Sequence, residues 1–98
     1  MGTEIEKYKK YVWKCPQVLC FSKKEIDKEM FPFYNVEWIC EWKNDYVETI
    51  DWIKYSEVWI AESDFSYSET KTIKNLAKGK VIIARNTNML ITKVGGNN

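Results

Sequence analysis

The chain has 98 residues, of which 45% are hydrophobic and 15% aromatic, and its formal net charge is +1. This length suits one domain spanning residues 1–98, and the aromatic content argues against an intrinsically disordered chain. The absence of histidine excludes histidine-based catalysis and histidine-ligated zinc, and a single arginine, Arg85, argues against arginine-rich recognition of nucleic acid.

Four potential capping boxes predict four helix starts along the chain. In this motif a Ser, Thr or Asp side chain accepts from the backbone N–H three residues later, where a Glu side chain reaches back to the cap. Pro32 ends the second predicted helix near Phe31, and Gly79 provides a left-handed cap for the fourth. The four pairs are Thr3 with Glu6, Ser22 with Glu25, Asp45 with Glu48, and Ser66 with Glu69.

Five apolar or alternating runs predict five short strands. The polar link 85–88 between the last two indicates an antiparallel hairpin at the C-terminal end. We therefore predict a single α+β domain, in which three to four short helices pack on an approximately five-stranded mixed or antiparallel sheet. An open three-layer α/β arrangement is the alternative, but it demands more apolar residues than the second run offers. The runs are 17–21, 36–42, 58–61, 81–84 and 89–94, and residues 95–98 form a frayed tail.

The cysteine pattern favours reduced thiols over disulfides or a metal site. Cys15, Cys20 and Cys40 are odd in number and lack the CxxC spacing of zinc ribbons and redox centres, which favours buried, reduced thiols. A disulfide between two of them is the alternative if the source is a hyperthermophilic archaeon or its virus. No apolar run approaches the roughly 20 residues of a membrane span. We expect a soluble, cytoplasmic protein without metal or cofactor.

Charge is strongly segregated along the chain. Residues 31–70 carry two Lys against nine acidic residues, whereas residues 71–98 carry five Lys and Arg85 with no acidic residue. The acidic stretch is interleaved with aromatic residues, a combination that suits capture of a basic protein surface. A solvated acidic face over an aromatic core is the simpler interpretation. The predicted partner-binding residues are Glu37, Glu41, Asp45, Glu48, Asp51, Trp52, Glu57, Glu62 and Asp64.

An enzymatic alternative rests on residues 57–84, which read as strand, polar loop, helix, glycine and strand. This order resembles one β-α-β step of Rossmann-like nucleotide-handling folds, including deoxyribosyltransferase-like proteins. Ser63, Asp64, Ser66 and Glu69 in the 63–69 loop are its candidate residues. The loop has no glycine for close phosphate approach, and its two carboxylates would repel a phosphate, so we favour a non-enzymatic protein.

Two segments and the predicted hairpin carry a resemblance to accessory proteins of archaeal rod-shaped viruses. The segments read KYKKYVWKC (7–15) and VEWICEWKNDYVETIDWIKY (36–55). The chain resembles in particular the family that inhibits type I-D CRISPR interference. The resemblance implies a homodimeric, non-enzymatic inhibitor that binds the large subunit of a host CRISPR surveillance complex. A homodimeric structural protein or DNA-associated virion component is a further alternative.

Overall fold

The computed structural model describes residues 15–95, which form a four-stranded sheet flanked by three helices. Three single 3-10 turns interrupt the connecting segments, at Lys28–Met30, Trp52–Lys54 and Glu62–Asp64. The strands are β1 (Gln17–Phe21), β2 (Asn35–Ile39), β3 (Glu57–Ala61) and β4 (Val81–Ala84), and the helices are α1 (Asn44–Thr49), α2 (Tyr67–Ala77) and α3 (Thr87–Lys93).

All strands of the sheet run parallel, in the order β2-β1-β3-β4. The two central strands are continuous apolar runs, and Val18–Phe21 and Val58–Ala61 are completely buried. Successive side chains point to opposite faces of a strand, so such a run must be covered on both faces. The sheet is covered on both faces, as in the three-layer α/β alternative.

Two hydrophobic clusters, one on each face, hold the layers together. On the first face Trp59 and Val18 pack with Leu90 of α3 and with Phe31 from the β1-β2 connection. On the second face Phe21 and Ile60 pack with Ile73 and Ala77 of α2 and with the β2-β3 connection. The connection from β1 to β2 thus lies on the first face, and the connections from β2 to β3 and from β3 to β4 lie on the second. Because these two groups of connections run in opposite directions across the sheet, they must lie on opposite faces if all crossovers have the same handedness.

The fourth predicted helix start is confirmed in detail. Ser66 Oγ accepts from the backbone N–H of Glu69 at 3.2 Å, and the backbone N–H of Ser66 donates to Glu69 Oε1 at 2.8 Å. Thr70, Ile73 and Ala77 then form the buried stripe of α2. The helix ends as expected in left-handed backbone, with φ of 51° at Lys78 and 88° at Gly79.

The combination of helices and strands in one domain is confirmed, but the five-stranded mixed or antiparallel sheet and the C-terminal hairpin are wrong. Residues 89–94 belong largely to α3, because the Asn86 side chain accepts from the backbone N–H of Met89 at 2.8 Å and caps a helix. Leu90, Ile91 and Val94 follow at helical spacing and pack on the first face. The polar link that indicated a turn is therefore a helix start.

The other predicted helix starts differ from the structure in part. Ser22 is buried and caps no helix, since its hydroxyl donates to the carbonyl oxygen of Lys24 at 2.8 Å. Asp45 and Glu48 lie inside α1, whose N-cap is Lys43 without a side-chain hydrogen bond. The start at Thr3 and tail residues 96–98 lie outside the described residues. Within residues 15–95 no helix is long and apolar enough to cross a membrane.

Candidate functional site

The strand order creates a crevice where β1 and β3 end. These strands are neighbours, but the segments that follow them leave toward opposite faces, which makes this the topological switch point where parallel sheets bind ligands. The backbone N–H of Lys23 donates to Asp64 Oδ2 at 2.9 Å, and the backbone N–H of Ser63 donates to the carbonyl oxygen of Arg85 at 2.9 Å. Hydrogen bonds therefore hold the loops after β1, β3 and β4 together at this edge.

A cleft of about 330 Å³ opens at this edge and extends toward the end of β2. We call it the carboxyl-edge cleft. Its walls combine three carboxylates, one ammonium group, two aromatic rings and one thiol. Because carboxylates outnumber the ammonium, the cleft offers a negative potential to a ligand. It is lined by Lys23, Cys40, Glu41, Trp42, Asp64, Phe65 and Glu69.

Contacts within the chain orient the two rings of the cleft. The Phe65 ring meets the buried Phe21 ring edge-on, with centroids 6.0 Å apart and an interplanar angle of 83°. The indole N–H of Trp42 donates to Asn44 Oδ1 at the start of α1, at 2.6 Å. Rings held in this way form walls that lose little conformational entropy when a ligand binds.

The three carboxylates of the cleft differ in the hydrogen bonds that they make. Asp64 and Glu69 each accept a backbone N–H, from Lys23 and Ser66 respectively, and neither makes an ion pair within residues 15–95. Glu41 is exposed, and in the same part of the chain it has no hydrogen bond or ion pair. Glu41 is therefore the carboxylate most available to an incoming cation.

The structure does not gather the nine predicted partner-binding residues into one patch. Glu41 and Asp64 line the cleft, and Glu62 lies on the rim of a neighbouring groove. Asp45, Glu48 and Asp51 are exposed along the β2-β3 connection. The remaining three contact their own chain: Glu57 accepts from the indole N–H of Trp59 at 3.3 Å, Trp52 stacks on Phe21 at 6.1 Å, and Glu37 bonds Tyr55 and Lys54.

Glu37 joins β2 to the segment that precedes β3. Its Oε2 accepts from the Tyr55 hydroxyl at 2.6 Å, and its Oε1 accepts from Lys54 Nζ at 3.0 Å. The Tyr55 hydrogen bond, helped by the Lys54 charge, lowers the pKa of Glu37 below its ordinary value of 4.5. Burial and the Glu37 carboxylate together raise the pKa of Tyr55. This carboxylate is therefore structural.

This pairing predicts an acid-dependent loss of stability. Because the pKa of Glu37 is lower in the folded than in the unfolded chain, its contribution is present above about pH 4.5 and is lost as pH falls below that value. Glu37→Gln should reduce the drop in unfolding free energy between about pH 7 and pH 3 by about 0.5 kcal/mol. Urea titrations at both pH values measure it. Glu48→Gln, at an exposed helix position, is the control, and equal pH profiles for wild type and Glu37→Gln would contradict the assignment.

The residues of the 63–69 loop are committed to hydrogen bonds within the chain. Ser66 and Glu69 form the capping box of α2, and Asp64 accepts from the backbone N–H of Lys23. In Rossmann-like sites a phosphate takes such backbone donors at the switch point. Here a carboxylate holds that position and would repel a phosphate.

Four cleft residues were not among the predicted site residues: Lys23, Cys40, Trp42 and Phe65. A signal for two of them was present, because Lys23 and Phe65 closely follow the apolar runs VLCF (18–21) and VWIA (58–61). Had both strands been assigned to the centre of a parallel sheet, their carboxyl ends would have indicated the crevice. Cys40 and Trp42 follow the edge strand, where no comparable signal exists.

Cys20 and Cys40 are free thiols in this structure. Burial raises the pKa of the Cys20 thiol to about 12, so this thiol stays protonated and unreactive inside the sheet. Residues 15–95 contain no group of three or more Cys, Asp or Glu side chains placed to hold a metal ion. The site is thus defined by its carboxylates and rings.

No family model, curated protein or solved structure matches the chain.

Proposed function

We propose that this protein is a binding protein whose carboxyl-edge cleft receives a cationic side chain from a basic protein partner. The observation that carries the proposal is the meeting of Glu41, Asp64 and Glu69 with the rings of Trp42 and Phe65 in one cleft. A guanidinium or ammonium group can pair with carboxylates while it lies against an aromatic face. The cleft supplies both kinds of contact.

The surroundings of the cleft add long-range attraction for such a partner. Asp45, Glu48 and Asp51 are exposed on the connection that continues from the cleft. Exposed charges of one sign raise the rate of encounter with an oppositely charged surface, and they contribute less to the lifetime of the complex. We therefore infer that contacts in the cleft determine the lifetime of the complex. The exposed acidic residues of the β2-β3 connection increase the rate of association.

The same proposal includes the kind of partner that the cleft binds. The sequence resembles inhibitors of type I-D CRISPR interference, and nucleic-acid-targeting complexes present basic surfaces to their substrates. We propose that the protein inhibits such a host complex without catalysis, by occupying a basic surface of its large subunit. The homodimer implied by the resemblance stays a prediction, which sedimentation equilibrium can check.

Charge reversal in the cleft tests the proposed binding mode. The probe is a fluorescein-labelled octapeptide alternating Gly and Arg, and its dissociation constant is measured by fluorescence anisotropy. We expect Glu41→Lys to weaken binding about tenfold, because it removes an accessible carboxylate and adds a repelling charge. Glu48→Lys makes the same change in net charge outside the cleft and should weaken binding less than about twofold.

The two variants separate a defined site from general charge attraction. Equal losses for Glu41→Lys and Glu48→Lys would mean that the cleft has no special role. Absence of peptide binding at low salt would overturn the proposal. Circular dichroism should show both variants folded, since neither side chain has a hydrogen bond or ion pair within residues 15–95.

A nucleotide at the switch point is a second candidate function. It is favoured by the parallel order β2-β1-β3-β4, which places a crevice at the ends of β1 and β3. Nucleotide binding is the weaker candidate, because the carboxylates at that crevice would repel a phosphate. A thermal-shift series with ATP and NAD distinguishes the two, because saturation at about 100 times the dissociation constant adds about 2.7 kcal/mol of stability. A shift with nucleotide and none with the arginine peptide would reverse the ranking.

A further inference from the structure

A groove of about 670 Å³ runs between the outer edge of β4 and α3; it neighbours the carboxyl-edge cleft but shares no lining residue with it. Ile83 and Ala84 of β4 and Met89 of α3 provide its apolar surface, and Met89 is 52% exposed. Arg85 and Lys93 provide two positive charges, against the single carboxylate of Glu62 on its rim. We call this surface the β4 groove.

Within residues 15–95 no strand pairs with the outer edge of β4, which lies along this groove. The carbonyl oxygen of Lys80 accepts from the backbone N–H of Val58 at 2.8 Å, so Lys80 faces β3. Alternation along a parallel ladder then directs the backbone groups of Val81 and Ile83 outward. The carbonyl oxygen of Ile83 does face outward, because it accepts from Lys93 Nζ at 2.8 Å. An edge strand with such groups is a template for another strand.

The charge around β4 selects the chemistry of the occupant. Residues 71–95 carry five Lys and Arg85 and no acidic residue. Arg85 is exposed, and its guanidinium has no hydrogen bond or ion pair in the part of the chain that the structure describes. A second copy that paired through the same edge would bring these positive charges together, which is unfavourable.

We propose that the β4 groove binds an extended acidic segment of a partner protein, which adds a strand to the sheet next to β4. Backbone groups of the segment pair with Val81 and Ile83, and the apolar side chains on the α3 side of the added strand cover Met89. Its carboxylates pair with Arg85 and with Lys93. When Lys93 pairs in this way, its ammonium group releases the Ile83 carbonyl oxygen, which then accepts from a backbone N–H of the segment. This is strand addition with charge complementarity.

The probe for this proposal is a labelled, end-capped octapeptide in which Val and Glu alternate. We expect it to bind, and we expect Arg85→Glu to raise its dissociation constant about tenfold, because a pairing charge becomes a repelling one. Lys71→Glu is the matched control, since Lys71 is exposed on α2 outside the groove and the net charge changes equally. It should change the dissociation constant less than about twofold.

Backbone pairing is tested with a peptide in which every second backbone nitrogen is methylated. Loss of binding with this peptide supports strand addition, and undiminished binding would overturn it. Binding of a single-stranded oligonucleotide that depends on Arg85, without binding of the Val-Glu peptide, would assign the groove to nucleic acid instead. Self-association of the protein without binding of the Val-Glu peptide would assign it to a second copy. Glu41→Lys should leave the Val-Glu peptide unaffected, which separates this result from the cleft proposal.

Discussion

Replacement of Trp59 by alanine should remove about 3–5 kcal/mol from the free energy of unfolding. Trp59 lies in the central strand β3 and is completely buried. Its ring contacts Phe31 and Tyr34, with centroid separations of 5.0 Å and 5.4 Å, so the substitution leaves a cavity beneath two further rings. The free energy of unfolding of a domain is about 5–15 kcal/mol in total, so the substitution should remove a large part of it.

Urea denaturation followed by circular dichroism measures this loss. Trp59→Phe retains part of the ring volume and should lose less stability, which keeps the comparison informative if Trp59→Ala fails to fold. Ile53→Ala is the surface control, because Ile53 is 91% exposed and its replacement should change the free energy by less than about 0.5 kcal/mol. A loss below about 1 kcal/mol for Trp59→Ala would contradict the packing of the first face.

Three strand positions could be predicted from the sequence because their signal is local. Apolar runs bounded by polar residues located β1 and β4 with the observed bounds, and β3 within one residue. Ser66 and Glu69 likewise located the start of α2, because a capping box involves only residues three positions apart. These elements depend little on the rest of the chain.

Strand direction could not be predicted in the same way, because it depends on which strands are central. We judged the second run too polar for a sheet covered on both faces. In the structure that run is the edge strand β2, where Glu37 is half-buried and bonded to Tyr55 and Lys54. The requirement for apolar residues applies to β1 and β3, and both satisfy it. Position in the sheet, and not strand composition alone, decides how much polarity a strand tolerates.

The candidate site was predicted less completely than the fold. Charge segregation along the chain is a sequence property, and it identified Glu41 and Asp64 as partner-binding candidates. The cleft, however, is formed by loops that follow three different strands, and its composition depends on the parallel order of those strands. Lys23 and Glu41 illustrate this, because they are separated along the sequence and meet only through the pairing of β1 with β2.

The same strand order separates the two proposed binding surfaces. The basic residues of 71–95 surround the edge strand β4, whereas the cleft extends toward β2, the edge strand on the opposite side of the sheet. An acidic partner segment and a basic partner group can therefore be bound without competition. The near-zero net charge of the whole chain conceals this division.

Lys80→Met should lower the free energy of unfolding by about 2–3 kcal/mol. Lys80 is half-buried just before β4, and its Nζ donates to the carbonyl oxygens of Trp52 and Tyr55, each at 2.6 Å. These bonds connect the start of β4 to the end of the β2-β3 connection. Hydrogen bonds from a charged donor are stronger than neutral ones, and methionine preserves the apolar stem while it removes the donor.

Urea denaturation of Lys80→Met and Lys74→Met provides the comparison. Lys74 is exposed on α2, and its side chain makes no hydrogen bond or ion pair within residues 15–95, so its replacement should change stability by less than about 0.5 kcal/mol. Loss of the two bonds should also release the segment at Trp52 and Tyr55, which faster amide exchange of residues 52–56 would show. Equal stabilities for the two variants would mean that the Lys80 ammonium does not hold the connection against the sheet.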